Sequence, residues 1–123
     1  VIARMSAAVI AIEPHETLAA AAADALSANE IDNAMIRQSA PEEGDAAHGP
    51  FDAIFINGSI GEAPQALLNQ LKDGGRLVAI SMAGQNGRAV AIVRSGDKFS
   101  TRRLFDATAP MIPGFEKAAE FAL

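Results

Sequence analysis

Apolar residues fall along this chain in short continuous blocks rather than in long amphipathic arrays. Residues 7–12 (AAVIAI), 51–56 (FDAIFI), 77–80 (LVAI) and 89–93 (AVAIV) are compact runs, rich in β-branched side chains and bounded by turn residues. That pattern predicts strands buried on both faces of a parallel sheet. Residues 31–37, entered through Asp32-Asn33, form a weaker run suited to a sheet edge. Residues 99–105 follow the turn signal Ser95-Gly96-Asp97 and read as the returning arm of a hairpin. Between the first two strands, residues 16–29 are Ala-rich, with Leu18, Ala22 and Leu26 at i, i+4 and i+8, which predicts a helix with one narrow apolar stripe. Pro14 suits its opening. A second helix is predicted between 56 and 77: Pro64 suits its first turn, Glu62 lies near its positive end, and Gly74-Gly75 follow Lys72 where a left-handed cap is expected. Residues 51–81 therefore read as one right-handed βαβ unit.

The remaining stretches are connections. Residues 38–50 carry two prolines, two glycines and an acidic cluster and read as a loop, and 83–88 (AGQNGR) lack any helical period. Residues 1–5 read as the last turns of a helix, and the tail from Asp106, with Pro110, Pro113 and Gly114, as a segment packed over a sheet edge. The order β-α-β, loop, β-α-β, hairpin predicts an α/β fold: an open, mostly parallel sheet with one antiparallel strand, in a single domain over residues 1–123.

Composition narrows the classes of function. Half the residues are hydrophobic, but many of these are Ala, so a thin core is expected. There is no Cys, which excludes disulfides and thiolate chemistry and fits a reducing cytoplasm. A net charge of −5, with Arg102-Arg103 as the only adjacent basic pair and no Trp or Tyr, argues against nucleic-acid or anionic-membrane partners. No apolar stretch reaches the length of a spanning helix, no signal peptide opens the chain, and a start at Val1 suggests a fragment of a longer polypeptide. Glu42, Glu43 and Asp45 lack the alternating ligand spacing of a hard-cation loop, so a solvated loop and no metal are expected.

FDAIFINGSIGEAPQALLNQLKDGGRLVAI, followed by GRAVAIVRSGD and LFDATAPMIPGFEK, resembles the carboxyl-terminal part of bacterial protein-L-isoaspartate O-methyltransferases. The resemblance extends back over AAVIAIEPHETLAAAAADAL and so covers nearly the whole chain. Class I methyltransferases end their sheet in a hairpin, which also agrees. The resemblance implies a Rossmann-like fold, S-adenosylmethionine as cofactor, and methyl transfer to a carboxylate of isoaspartyl residues in damaged proteins, that is, protein repair in the cytoplasm.

By the same resemblance, Glu13 falls where the family has an acid that accepts from both ribose hydroxyls; read from the residues alone it is a carboxylate at a strand end, in a cofactor site or solvated. His15 is either a contact to adenosine or a solvent-facing helix-start residue. Ser39 and Ala40 stand where the family commonly has Gly-Asp, so adenine recognition would fall to Ser39 or the backbone. Asn57 and Gly58 are expected to end the central strand, either facing the cleft or forming a plain turn. The Gly-rich turn of the family's first strand, and the Ser-bearing substrate loop before it, are not in this chain, so no catalytic residue is assigned. GQNG at 84–87 follows the wrong strand to replace that turn.

A missing first strand would leave two open strand edges, which the chain is expected to close by direct pairing or to fill from a second copy in a strand-exchanged homodimer. The leading expectation is thus a methyltransferase whose truncated chain is inactive alone. A non-catalytic Rossmann-like binding or oligomerisation module is the alternative, and an NAD-dependent oxidoreductase fits less well because the glycine fingerprint is absent.

Overall fold

A computed structural model describes residues 8–81, 87–107 and 112–113. The chain divides into two compact units, Val1–Asp45 and Ala46–Leu123, where the sequence suggested one continuous domain.

In the first unit, β1 (Val9–Ile12) leads into α1 (Glu16–Ala28) and β2 (Ala34–Arg37). The strands pair in parallel, in unbroken register from Val9↔Ala34 to Ile12↔Arg37. The face that α1 buries differs from the expected stripe. Ala19 is buried and Ala22 and Leu26 are half-buried, whereas Leu18 is 55% exposed. Residues 19, 22 and 26 share a helical face, so two positions of the expected stripe hold and Ala19 takes the place of Leu18. Its end is closed without glycine. Glu30 takes a left-handed φ of 55°, the Ile31 N–H donates to Leu26 O at 2.9 Å and the Glu30 N–H to Ser27 O at 3.1 Å, the two bonds of a Schellman ending. After β2, a 3-10 turn at Pro41–Glu43 brings Asp45 back beneath Arg37, with Nε to Oδ2 at 3.4 Å. Asp45 is 5% exposed, so the acidic cluster is not uniformly solvated as its composition suggested.

The second unit carries β3 (Phe51–Ile60), α2 (Gln65–Leu68), β4 (Leu71–Ser81), β5 (Arg88–Ser95) and β6 (Lys98–Asp106), in a sheet of order β3-β4-β5-β6. β3 and β4 are parallel, and β5 runs antiparallel to both β4 and β6. One strand is therefore reversed, as the sequence predicts, and the turn between β5 and β6 carries Gly96 at φ +63°. Ile56, Ile60, Leu67, Leu68, Leu71, Leu77, Ala79 and Ile92 form the core.

Two expectations about this unit need correction. The helix is a single turn, four residues long, and Lys72, Gly74 and Gly75 belong to β4 rather than to a helix end. Leu71, fully buried opposite Phe51, is worth more in the core than as another helical residue. Gly74 does adopt φ +80°, but in a register shift between Phe51↔Leu71 and Ala53↔Arg76. Gly75 permits the close approach of β3: a Cβ there would stand 2.9 Å from Lys72 O and 3.1 Å from Asp52 O. The connection from α2 into β4 is held by Arg94, whose Nη1 donates to Asn69 O at 3.2 Å and Leu71 O at 2.7 Å. The second correction concerns β3, which continues to Ile60 instead of ending at residue 56.

Among the described residues the strands form two separate sheets, so the closing of the gap by direct pairing is not observed. Residues 1–5 and most of the tail after Asp106 lie outside the described residues. Within the tail, the Ile112 N–H donates to Ser59 O at 3.0 Å, and Ile112 packs against the core.

Candidate functional site

The first unit gathers three of the residues singled out from the sequence at the carboxyl edge of a parallel strand pair, where open α/β sheets bind ligands. The Glu13 N–H donates to Arg37 O at 3.0 Å, extending the β1–β2 ladder by one rung. This fixes Glu13 as the first side chain past β1. One of its oxygens, Oε1, accepts the His15 N–H at 3.2 Å, which leaves the second oxygen and further lone pairs for a ligand. His15 is the N-cap of α1 and is exposed, making no side-chain capping bond. Ser39 lies two residues past β2. Its Oγ is buried and has no hydrogen-bond partner among the described residues, an arrangement that costs about 1–3 kcal/mol unless a further group, a ligand or water satisfies it.

The second unit holds the other pair. Asn57 is exposed and Gly58 half-buried, and both lie inside β3 rather than at its end. The β3–β4 register passes from Phe55↔Val78 to Ser59↔Ile80, so residues 56–58 form a bulge opposite Ala79. At this carboxyl end, a cavity of about 300 Å³ opens between Ile60, Leu68, Ser81, Ile92, Phe99 and Thr101. In the sequence this cavity is marked by no motif beyond the run SIGE after Asn57-Gly58. A larger hollow of about 620 Å³ lies at the opposite end, beside Pro50, Lys72 and Asp73. Its polar groups are already engaged, Arg94 with three backbone carbonyls and Asp73 Oδ1 with the Gly96 N–H at 2.9 Å. We therefore take the carboxyl end as the candidate site, despite the smaller volume there.

Among the described residues no cluster of three or more His, Asp or Glu side chains could hold a metal ion, and no helix is long and apolar enough to cross a membrane.

The family model described as protein-L-isoaspartate(D-aspartate) O-methyltransferase matches residues 1–108. The chain belongs to that family. The Rhizobium meliloti protein-L-isoaspartate O-methyltransferase is 32% identical over 122 residues, covering 98% of this chain and 59% of that protein. The Halorhodospira halophila enzyme of the same name is 35% identical over 116 residues, covering 93% of this chain and 52% of its own length. The chain thus spans a little over half the length of these relatives. Two solved structures share the fold. One, a protein-L-isoaspartate O-methyltransferase, superposes with a TM-score of 0.80 at 18% identity, over 87% of this chain and 34% of that one. The other, described as a putative protein-L-isoaspartate O-methyltransferase from Plasmodium falciparum in complex with S-adenosyl-L-homocysteine, gives 0.70 at 23% identity, over 83% and 50%. The fold is accordingly α/β and Rossmann-like, and the sheet of the second unit ends in an antiparallel hairpin.

Proposed function

We propose that the polypeptide to which this chain belongs is an S-adenosylmethionine-dependent methyltransferase that esterifies a carboxylate of isoaspartyl residues in damaged proteins or peptides. It would serve protein repair in the cytoplasm. The observation that carries the reading is the pairing of a carboxylate with open lone pairs, Glu13, and a buried unpartnered hydroxyl, Ser39 Oγ, past the ends of two adjacent parallel strands. A carboxylate suits a ribose diol because it accepts two hydrogen bonds, and a hydroxyl can both donate to and accept from an adenine edge. These residues fit the nucleoside half of the cofactor. None of the described residues is assigned to its amino-acid half.

Bound S-adenosylmethionine would supply an electrophilic methyl carbon on a sulfonium sulfur. In the first unit Glu13 would hold the ribose and Ser39 would meet the base, with His15 beside it; Asn57 and Gly58 are the second unit's own candidates for cofactor contact. An isoaspartyl carboxylate is already a nucleophile at neutral pH, so alignment rather than a general base supplies most of the acceleration. On this reading no Ser-His-Asp or Cys-His set is required. On this reading the two compact units are parts of one methyltransferase domain, and residues 1–123 alone do not turn over. β1 and β3 are edge strands of their own sheets, which favours a strand-exchanged homodimer for the isolated chain.

Calorimetric titration with S-adenosylhomocysteine, together with a methyl-transfer assay on an isoaspartyl peptide, tests the proposal on the longer polypeptide. Binding and turnover there, with no turnover by residues 1–123, are expected. Neither binding nor turnover by the longer polypeptide would leave the alternative of a non-catalytic Rossmann-like module.

A further inference from the structure

Asn57 and Gly58 form one of two Asn-Gly steps in the sequence; the other is Asn86-Gly87, whose Asn lies outside the described residues. Asparagine is chemically labile, and a following glycine removes the main steric barrier to its reaction, because no Cβ shields the glycine nitrogen from the side-chain carboxamide. Inside a regular ladder this chemistry is suppressed, since hydrogen bonds to the next strand hold each peptide unit in place. Asn57 and Gly58 have no such register partner. They lie in the bulge where β3 spends residues 56–58 against Ala79, and Asn57 is exposed to water.

We propose that Asn57 is a site of spontaneous modification, at which the folded chain generates an isoaspartyl residue in its own backbone. The Gly58 nitrogen attacks Asn57 Cγ, forming a C–N bond. The bond from Cγ to the side-chain nitrogen breaks, and that nitrogen leaves as ammonia with the proton from Gly58. Water then opens the resulting succinimide. Attack at the former main-chain carbonyl gives isoaspartate, and attack at Cγ gives aspartate. No oxidant or reductant is needed, and water is the only co-reactant.

The flanking residues make the product consequential. Ile56 is 9% exposed, Ile60 2%, and Ser59 is fully buried with its carbonyl accepting from Ile112. An isoaspartyl linkage inserts a methylene into the main chain between these anchored points and adds one negative charge to the −5 of the sequence. The converted chain is expected to elute later from an anion exchanger and to melt at a lower temperature than the parent. The proposal rests on the chain's own backbone and holds whether or not the methyl-transfer reading does.

The test is a time course of the intact chain in mildly alkaline buffer, folded as judged by a cooperative melt in circular dichroism, beside the same chain unfolded in urea. Both are followed by peptide mapping with electron-transfer fragmentation, which separates isoaspartate from aspartate. The peptide containing Asn57 is expected to gain about one dalton and to contain isoaspartate. Conversion in the folded chain within about tenfold of the rate in urea supports the proposal, tenfold being about 1.4 kcal/mol of barrier. Slower conversion than that in the folded chain overturns it. Gly58→Ala, measured in urea where folding is not at issue, should slow conversion at Asn57 while Asn86 converts as before. An unchanged rate at Asn57 would overturn the succinimide route.

Discussion

The chain contains two strand-helix-strand segments, and they are built on opposite terms. β1-α1-β2 joins two strands of four residues through a helix of 13, in unbroken register, and the only apolar side chain it buries is Ala19. β3-α2-β4 joins strands of 10 and 11 residues through a four-residue helix, breaks register twice, and buries Leu67, Leu68, Leu71 and Leu77. Regularity and stability are thus separated. The regular segment spends its alanines on helix propensity and gains little burial, whereas the irregular one accepts bulges in order to seat leucines. The candidate ligand-binding side chains Glu13 and Ser39 belong to the regular, weakly buried segment. Stabilisation that it lacks on its own would then come from ligand or from other parts of the longer polypeptide.

This contrast can be broken most directly in the core. Leu77→Ala should cost about 2–5 kcal/mol in urea unfolding, because a fully buried leucine leaves a cavity. A loss below about 1 kcal/mol would mean that the second unit does not carry the stability of the chain. Next comes Arg94→Ala, which strands the Asn69 and Leu71 carbonyls; about 1–3 kcal/mol is expected. Arg94→Lys should recover only part of this, since an ammonium lacks the planar fork that reaches Asn69, Leu71 and Gly96 together.

For the first segment the effects on stability are smaller and one has the opposite sign. Glu13→Ala in the longer polypeptide should weaken S-adenosylhomocysteine binding by about 1.5–3 kcal/mol in calorimetry, the range for a hydrogen bond to a charged group, with little change in melting temperature without ligand. Glu30→Gly should raise stability by up to about 1 kcal/mol, because it relieves a left-handed φ at the end of α1. Leu18→Ala should change stability by less than about 0.5 kcal/mol, as expected of an exposed position. If Leu18→Ala instead cost as much as Leu77→Ala, α1 would be buried in solution in a way the isolated chain does not display.

Much of the fold was legible because short apolar blocks, turn residues and alanine content speak for single elements. α1 runs from Glu16 to Ala28 against an expected 16–29, β2 pairs at an edge, and the hairpin turns at Gly96. The second helix was misjudged for a physical reason: QALLNQLK has helical spacing, but Leu71 is claimed by the sheet and the glycines serve a bulge instead of a cap. Ser39 was legible as the residue past a strand. That its hydroxyl is buried and unpartnered was not, because burial depends on how the turn at Pro41–Glu43 folds back.

The sequence alone determined the strand and helix order and the single reversed strand, since these depend on residue types and their spacing; the family, and with it the candidates Glu13, His15, Ser39, Asn57 and Gly58, came from resemblance over nearly the whole chain. Tertiary structure decided which apolar stripe of α1 is buried, where β3 ends, and that Asn57-Gly58 sits in a bulge inside a strand. Those features depend on competition between distant side chains for the same buried volume and the same hydrogen bonds, which no local pattern encodes.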